Sequence, residues 1–362
     1  MKVRKHKTIT TAEAINEALI IASKKFKKTI FLAEGLQDPS FFFNTTNNLK
    51  NSVPKNRLIE IPLSELAVTG ICIGASMQDY RPVLSFQRVE FAILALEQII
   101  NNAAKAHYVS YGQHKVPIVI RLVIGRGWGQ GPAHSQSLEN LFASIPGLKV
   151  VMPTFPEDAK GLLLSSIKDN NPVIFLEHRW CHYIKGKVKK GYFEIPLNQG
   201  AKQITRGSDY TVVATSYGVL EAMEASKILK KYDIHISIFD LRILRPLKLN
   251  NILGSVKKTK RLMIIDTGHK TMGMGAEISS QIHEKLFKVL KSSIKRLGLP
   301  DHPVPSSRGY MKNIYPNSYK ICDLICQDLK TKKILKKRIL DEILKNRKFE
   351  IDVPNPDFRG PF

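Results

Sequence analysis

The chain has 362 residues, 43% hydrophobic and 24% charged, which excludes a disordered polymer or a stapled mini-domain and leaves room for two or three ordinary domains. Lysine and arginine number 56 against 31 aspartates and glutamates, a formal charge of +25; that excess attracts anions and says little about fold. The four cysteines, Cys72, Cys181, Cys322 and Cys326, are too sparse for a disulfide framework and form no C-x-x-C pair of the zinc or redox kind.

Residues 1–28 are basic without an apolar signal core, and no apolar run reaches the roughly 18 residues of a spanning helix, so a cytoplasmic protein with no membrane partner is expected. Residues 10–25 read as an amphipathic helix, with Ile15, Ala18, Leu19 and Ala22 on one face and a capping box formed by Thr10 and Glu13. A strand follows at 29–33. The alternation continues with strand 58–62, helix 64–77, strand 83–86, helix 92–110 and strand 117–124. Such alternation predicts a parallel, doubly wound sheet. Strands at 149–152 and 173–177 flank a helix whose start is marked by Pro156, Glu157 and Asp158.

These elements define a first domain over 1–185. Lys185-Gly-Lys-Val-Lys-Lys-Gly191 then suggests a polar linker, 186–208. A second α/β domain, 209–330, has buried strand patterns at 209–216, 235–240 and 261–266, separated by helices near 218–232 and 249–258. Across 321–345 the pattern is a basic amphipathic helix or helix pair, and 331–362 forms a basic C-terminal extension whose end, from Val353, reads as an extended arm.

Two glycine-rich stretches invite a nucleotide reading and fail it. Gly125-Arg-Gly-Trp-Gly-Gln-Gly131 does not fit G-x-G-x-x-G, and the segment from Gly268 to Gly273 lacks the Lys-Ser/Thr of a phosphate loop, so both are expected as tight turns. Ser64 is an expected N-cap. Glu65 behind it is an acid in the first helical turn, where the helix dipole stabilises a negative charge by about 0.3–1 kcal/mol. His134, in Gly131-Pro-Ala-His-Ser-Gln-Ser137, follows an apolar strand at the edge where open α/β sheets bind ligands. It is placed either to shuttle a proton or simply to be solvated.

Five segments in order, LSELAVTGICIGASM, SFQRVEFAILALEQIINNAAK, GPAHSQSLENLFASIPGLKVVMP, EDAKGLLLSSIKDNNPVIFLEH and FDLRILRPL, together resemble the beta subunits of thiamine-diphosphate-dependent 2-oxo acid dehydrogenases over about residues 8–330. The resemblance implies two doubly wound α/β domains, a transketolase-type pyrimidine-binding domain followed by a transketolase C-terminal domain. It places Glu65 as the carboxylate that bonds a pyrimidine ring nitrogen and so drives the cofactor to deprotonate its own thiazolium carbon. It places Phe91 against the ring face, Gln87 and Ala67 as neighbouring cofactor contacts, His134 as the active-site histidine and Glu34 as a second acid. Backbone around Ile167, Asp169 and Asn171 matches a segment that binds potassium in some relatives.

The family's motif for diphosphate and Mg2+, Gly-Asp-Gly followed some thirty residues later by Asn-Asn, is absent from this chain, which has no Gly-Asp-Gly. A separate alpha subunit is therefore expected to hold the magnesium, in an alpha2beta2 heterotetramer that passes an acyl group to a lipoyl acyltransferase core. Arg126 and Trp128 depart from the family's pattern in the acceptor loop, which leaves the substrate open among pyruvate, a branched 2-oxo acid and the reaction of a split transketolase-like ketol transferase. The segment after Asp328 is expected either to pack as a helix or to dock an acidic partner. A nucleic-acid-binding reading rests on charge alone, since no recognition motif accompanies it.

Overall fold

Thr10 Oγ1 accepts from the Glu13 backbone N–H at 3.2 Å, and the Thr10 N–H donates back to Glu13 Oε2 at 2.7 Å. This closed capping box starts the helix Thr11–Lys25, whose buried face of Ile15, Ala18, Leu19 and Ala22 packs on the helix Pro156–Lys168. The computed structural model describes residues 6–36, 42–125, 130–311 and 314–347. Arg126, Trp128 and the arm from Val353 lie outside the described residues.

In the first half the strands are β1 (His6–Thr10), β2 (Thr29–Ala33), β3 (Leu58–Glu60), β4 (Arg81–Phe86), β5 (Val119–Ile124), β6 (Lys149–Val151) and β7 (Val173–His178). Then come β8 (Lys185–Lys189), β9 (Lys202–Thr205), β10 (Tyr210–Ala214), β11 (Ile236–Asp240), β12 (Ile243–Arg245), β13 (Leu262–His269) and β14 (Lys295–Leu299). One sheet runs β12-β6-β7-β5-β4-β2-β3, parallel except at β12; a second runs β14-β13-β10-β11-β9, parallel except at β9. Helices cover both, as the expected doubly wound α/β fold requires. β12 comes from the second half of the chain yet pairs antiparallel with β6, so the two halves share a sheet edge.

Several expectations need correction. The segment 186–208 is not a plain linker: β8 pairs with β1, and β9 closes the edge of the second sheet against β11. In Lys-Gly-Lys-Val-Lys only Val188 is buried, against Ala14 and Phe193, so a lysine-rich composition hid a strand with one inward residue. The helix expected at 92–110 begins at Val89 and is irregular: 3-10 over Val89–Ala95, π over Gln98–Ala103 and α over Ala104–Val109. There Asn102 Nδ2 donates to Glu97 and Gln98, and Lys105 to Asn101, side-chain bonding that accompanies the wider turn. Ser64 stands at the N-cap of Glu65–Met77 without making a capping bond.

The described part of the extension, residues 331–347, is built into the second half. Helix Lys333–Asn346 buries Ile339, Leu340 and Ile343 in the core that holds Leu229, Ile321 and Ile325, and Arg347 bonds Glu221 at 2.9 Å. Packing, not an open docking face, accounts for its apolar stripe. Among the described residues no helix is long and apolar enough to cross a membrane.

Where the halves meet, Asp158 bonds Arg242 and, at 2.7 Å, Lys202, and Asp240 is fully buried beside them. Burial first, and then the Asp158 carboxylate, push the Asp240 carboxyl up to about 8. The unfolded chain loses this proton near pH 4 and the native chain only near pH 8, so this group lowers stability as pH rises across that window. Asp240→Asn, which carries no ionisable proton, is expected to melt closest to wild type at about pH 4, the foot of that window, and above it at about pH 9. Parallel melting curves at both pH values would reject this assignment.

Candidate functional site

β2, β3, β4 and β5 run parallel, so their carboxyl ends open on one edge of the first sheet. From β3 the chain turns through Ile61-Pro-Leu-Ser into the helix Glu65–Met77, and Glu65, only 6% exposed, sits in its first turn. Glu34 follows β2. Burial chiefly, then the neighbouring Glu65 and Glu60 carboxylates, raise the Glu34 carboxyl above its ordinary value. Gln87, just past β4, donates from Nε2 to the Glu34 carbonyl at 3.3 Å. Glu60 accepts from the Gly35 backbone N–H and holds that turn.

Phe91 lies on the next segment, which packs against the helix Glu65–Met77 through a core that includes Val68, Ile73, Val89 and Ala92. Its ring faces His134 with centroids 5.7 Å apart and planes inclined by 54°. The structure thus gathers Glu65, Glu34 and Gln87 at one strand edge, with Phe91 and His134 as a ring pair on the segments that follow β4 and β5. Ala67 is exposed on the helix of Glu65. Buried polar atoms with no hydrogen-bond partner include Glu34 Oε1 and His134 Nδ1, the kind of unpaired donor or acceptor that a polar heterocycle satisfies. The aromatic face of Phe91 and the unpaired imidazole it meets are groups of the kind that stack on and bond a polar heterocycle.

Ile167, Asp169 and Asn171 lie elsewhere, at the end of helix Pro156–Lys168. Arg81 Nη1 donates to the carbonyls of Ile167, Lys168 and Asp169 at 2.9, 3.0 and 2.9 Å, and Nη2 donates to Asn170 Oδ1 at 2.9 Å. The Asp169 side chain bonds Lys149 and the Asn171 amide. An internal guanidinium already serves these carbonyls, so the donor set does not fit a dedicated potassium ion. Among the described residues no three His, Cys, Asp or Glu side chains converge as a metal site.

Three charged residues at the site escaped the sequence reading. Glu90 accepts from the Gln136 backbone N–H at 2.7 Å, Arg88 donates to the His134 carbonyl at 3.3 Å, and Arg179 donates to Gln130 at 2.6 Å. Burial raises the Glu90 carboxyl, against the opposing pull of the Gln136 bond, Arg88 and Arg179. Burial and then Arg88 lower Arg179 to about 9. The available signal was charge in a wrong place: Arg88-Val-Glu90 opens an otherwise apolar segment, and Arg179 closes a buried strand.

Comparison with known proteins gives the family. The chain matches the family models for the transketolase pyrimidine binding domain over residues 7–181 and the transketolase C-terminal domain over 199–321. It is 35% identical over 328 residues to the acetoin:2,6-dichlorophenolindophenol oxidoreductase subunit beta of Bacillus subtilis (strain 168), covering 87% of this chain and 95% of that one. It is 34% identical over 317 residues to the pyruvate dehydrogenase E1 component subunit beta of Rickettsia felis, covering 88% of this chain and 97% of that one. Among solved structures, a split gene transketolase described as an inactive beta4 tetramer superposes with a TM-score of 0.71 at 18% identity, over 90% of this chain and 99% of that one, a likeness of fold.

Proposed function

The chain belongs to the beta-subunit family of thiamine-diphosphate-dependent 2-oxo acid dehydrogenases, and from that premise we propose that it contributes the pyrimidine half of a cofactor site completed by a separate alpha subunit. The observation that carries the reading is the buried Glu65 at a helix start, with Glu34 and Gln87 beside it and Phe91, whose ring meets His134, on a segment packed against the same helix. Once bound, thiamine diphosphate supplies a carbon nucleophile and an electron sink for cleaving the bond between a 2-oxo carbon and its carboxylate.

Glu65 holds a proton against the pyrimidine nitrogen. Its carboxyl, buried in the first turn of the helix Glu65–Met77, can take and return that proton. Phe91 keeps the ring flat and excludes water from one face. Gln87, tied to the Glu34 carbonyl, and Ala67, near the helix start, border the ring. His134, whose buried Nδ1 is unpaired, gives or takes the proton of the reacting substrate.

The alpha subunit carries the Gly-Asp-Gly motif and the Mg2+ that anchors the diphosphate, and the assembly is alpha2beta2. Its seat is the apolar surface flanking the site: Leu63 just before the helix of Glu65, Leu66 and Ile71 on that helix, and Ile93 and Leu94 from the segment of Phe91 are all exposed. A lipoyl acyltransferase core takes the acyl group. Potassium at Ile167, Asp169 and Asn171 is left out of the proposal, because Arg81 occupies the Ile167 and Asp169 carbonyls.

Purified alone, the chain is expected to show no pyruvate decarboxylation and no measurable thiamine diphosphate binding by calorimetry in Mg2+. Co-expression with a chain bearing Gly-Asp-Gly should restore both. Turnover by the isolated chain would overturn the proposal. A second reading, a split transketolase-like ketol transferase, is favoured by the fold likeness to the split gene transketolase; it predicts consumption of sugar-phosphate acceptors by the same complex without any lipoyl partner.

A further inference from the structure

The segment Gln130–Gln136, which carries His134, has little regular structure of its own. Among the described residues its short turn Pro132–His134 is closed by a 3.5 Å contact from the His134 N–H to the Gly131 carbonyl, and its exit by the Gly125 N–H donating to the Gln136 carbonyl at 3.0 Å. Three further polar anchors among the described residues come from elsewhere in the fold. Arg179, at the end of β7, bonds the entrance at Gln130; Arg88 bonds the middle, at the carbonyl of His134; Glu90 bonds the exit, at the N–H of Gln136.

Arg88 and Glu90 flank Val89, two positions before the ring of Phe91 that faces His134. One short segment therefore sets both the aromatic support and the imidazole. Arg179 is 1% exposed, and its guanidinium lies 5.1 Å from the Phe43 ring, so the third anchor is rooted in the core. A displacement of about 1 Å at a proton-transfer group can cost on the order of a hundredfold in rate.

The geometry points to Arg88 and Glu90 as positioning residues that hold the His134 backbone where its imidazole can serve the reaction, with Arg179 anchoring the same segment from the opposite strand. The inference rests on the proposed role of His134. Neither residue transfers a proton itself. Glu90 acts through an acceptor oxygen, which an amide retains, and Arg88 through a donor to a carbonyl.

The test is a kinetic cycle in the assembled alpha–beta complex, following 2,6-dichlorophenolindophenol reduction with pyruvate. Glu90→Ala is expected to lower kcat by about 10- to 100-fold while changing KM for pyruvate and the affinity for thiamine diphosphate by less than about threefold. Glu90→Gln, which keeps the acceptor, should stay within about threefold of wild type. In a His134→Ala background the further change to Glu90→Ala should cost less than about twofold, because the residue it positions is gone. Arg88→Gln repeats the pattern where Glu90→Ala fails to assemble. Penalties that multiply in the cycle, or equal damage from Gln and Ala at position 90, overturn the positioning role alone. Wild-type turnover by His134→Ala overturns the role of His134 and this inference with it.

Discussion

Glu65→Gln is expected to lower turnover of the assembled complex by at least about a hundredfold, the range that removal of a positioned acid or base commonly gives. Glutamine matches glutamate in shape and leaves the helix start filled, but it cannot share a proton with a ring nitrogen. Folding should not suffer, because the substitution removes one of three carboxylates, Glu34, Glu60 and Glu65, crowded beyond β2 and β3 and relieves part of the upward push on Glu34. Melting temperature and subunit assembly are the controls. Exchange of the thiazolium proton with deuterium, read by NMR in the holo complex, isolates the step that Glu65 serves. Activity within threefold of wild type would remove Glu65 from the reaction.

The largest effect on stability is expected at Arg121, which is 1% exposed at the centre of the first sheet. Its Nε and Nη2 donate to the two oxygens of Glu177 at 2.6 and 2.9 Å, Nη2 also donates to Thr45 at 2.8 Å, and the guanidinium lies 5.2 Å from the Phe42 ring. Burial works to raise the Glu177 carboxyl, yet Arg121 and His182 outweigh it and hold the group below its ordinary value. Its stabilising share is thus present above the ordinary glutamate range and is lost as pH falls through the depressed value. Arg121→Met leaves that carboxylate buried without its cation, at a cost of about 3–5 kcal/mol.

The double variant Arg121→Met with Glu177→Leu should recover most of the loss, because two apolar groups need no partner. Denaturant unfolding of all three variants measures the coupling. Additive losses would mean that the pair acts only through packing. The network also reaches toward the site, since His182 lies between Glu177, at 3.2 Å, and the Phe43 ring that meets Arg179.

How far the sequence carries depends on the range of the interaction. The helix Thr11–Lys25 was legible to the residue because its cap and apolar face are local features, and the alternation of strands and helices came from periods of two and 3.6. Strand β8 was not legible, because its partner β1 lies some 180 residues away and only Val188 faces inward. Glu65 was visible as an ordinary first-turn acid, and only resemblance gave it a chemical role. Arg88, Glu90 and Arg179 meet the His134 segment across 46 to 49 residues of chain, a contact that no local pattern encodes.

β12 has a consequence for how the protein can be divided. Cutting the chain between the matched regions would strip β6 of its neighbour and leave a row of unsatisfied amides on the amino-terminal piece, an invitation to self-association. The carboxyl-terminal piece would carry an orphan strand in return. Dissection experiments on this molecule therefore have to carry residues 243–245 with the sheet they complete, and evolution faces the same constraint when it shuffles these halves.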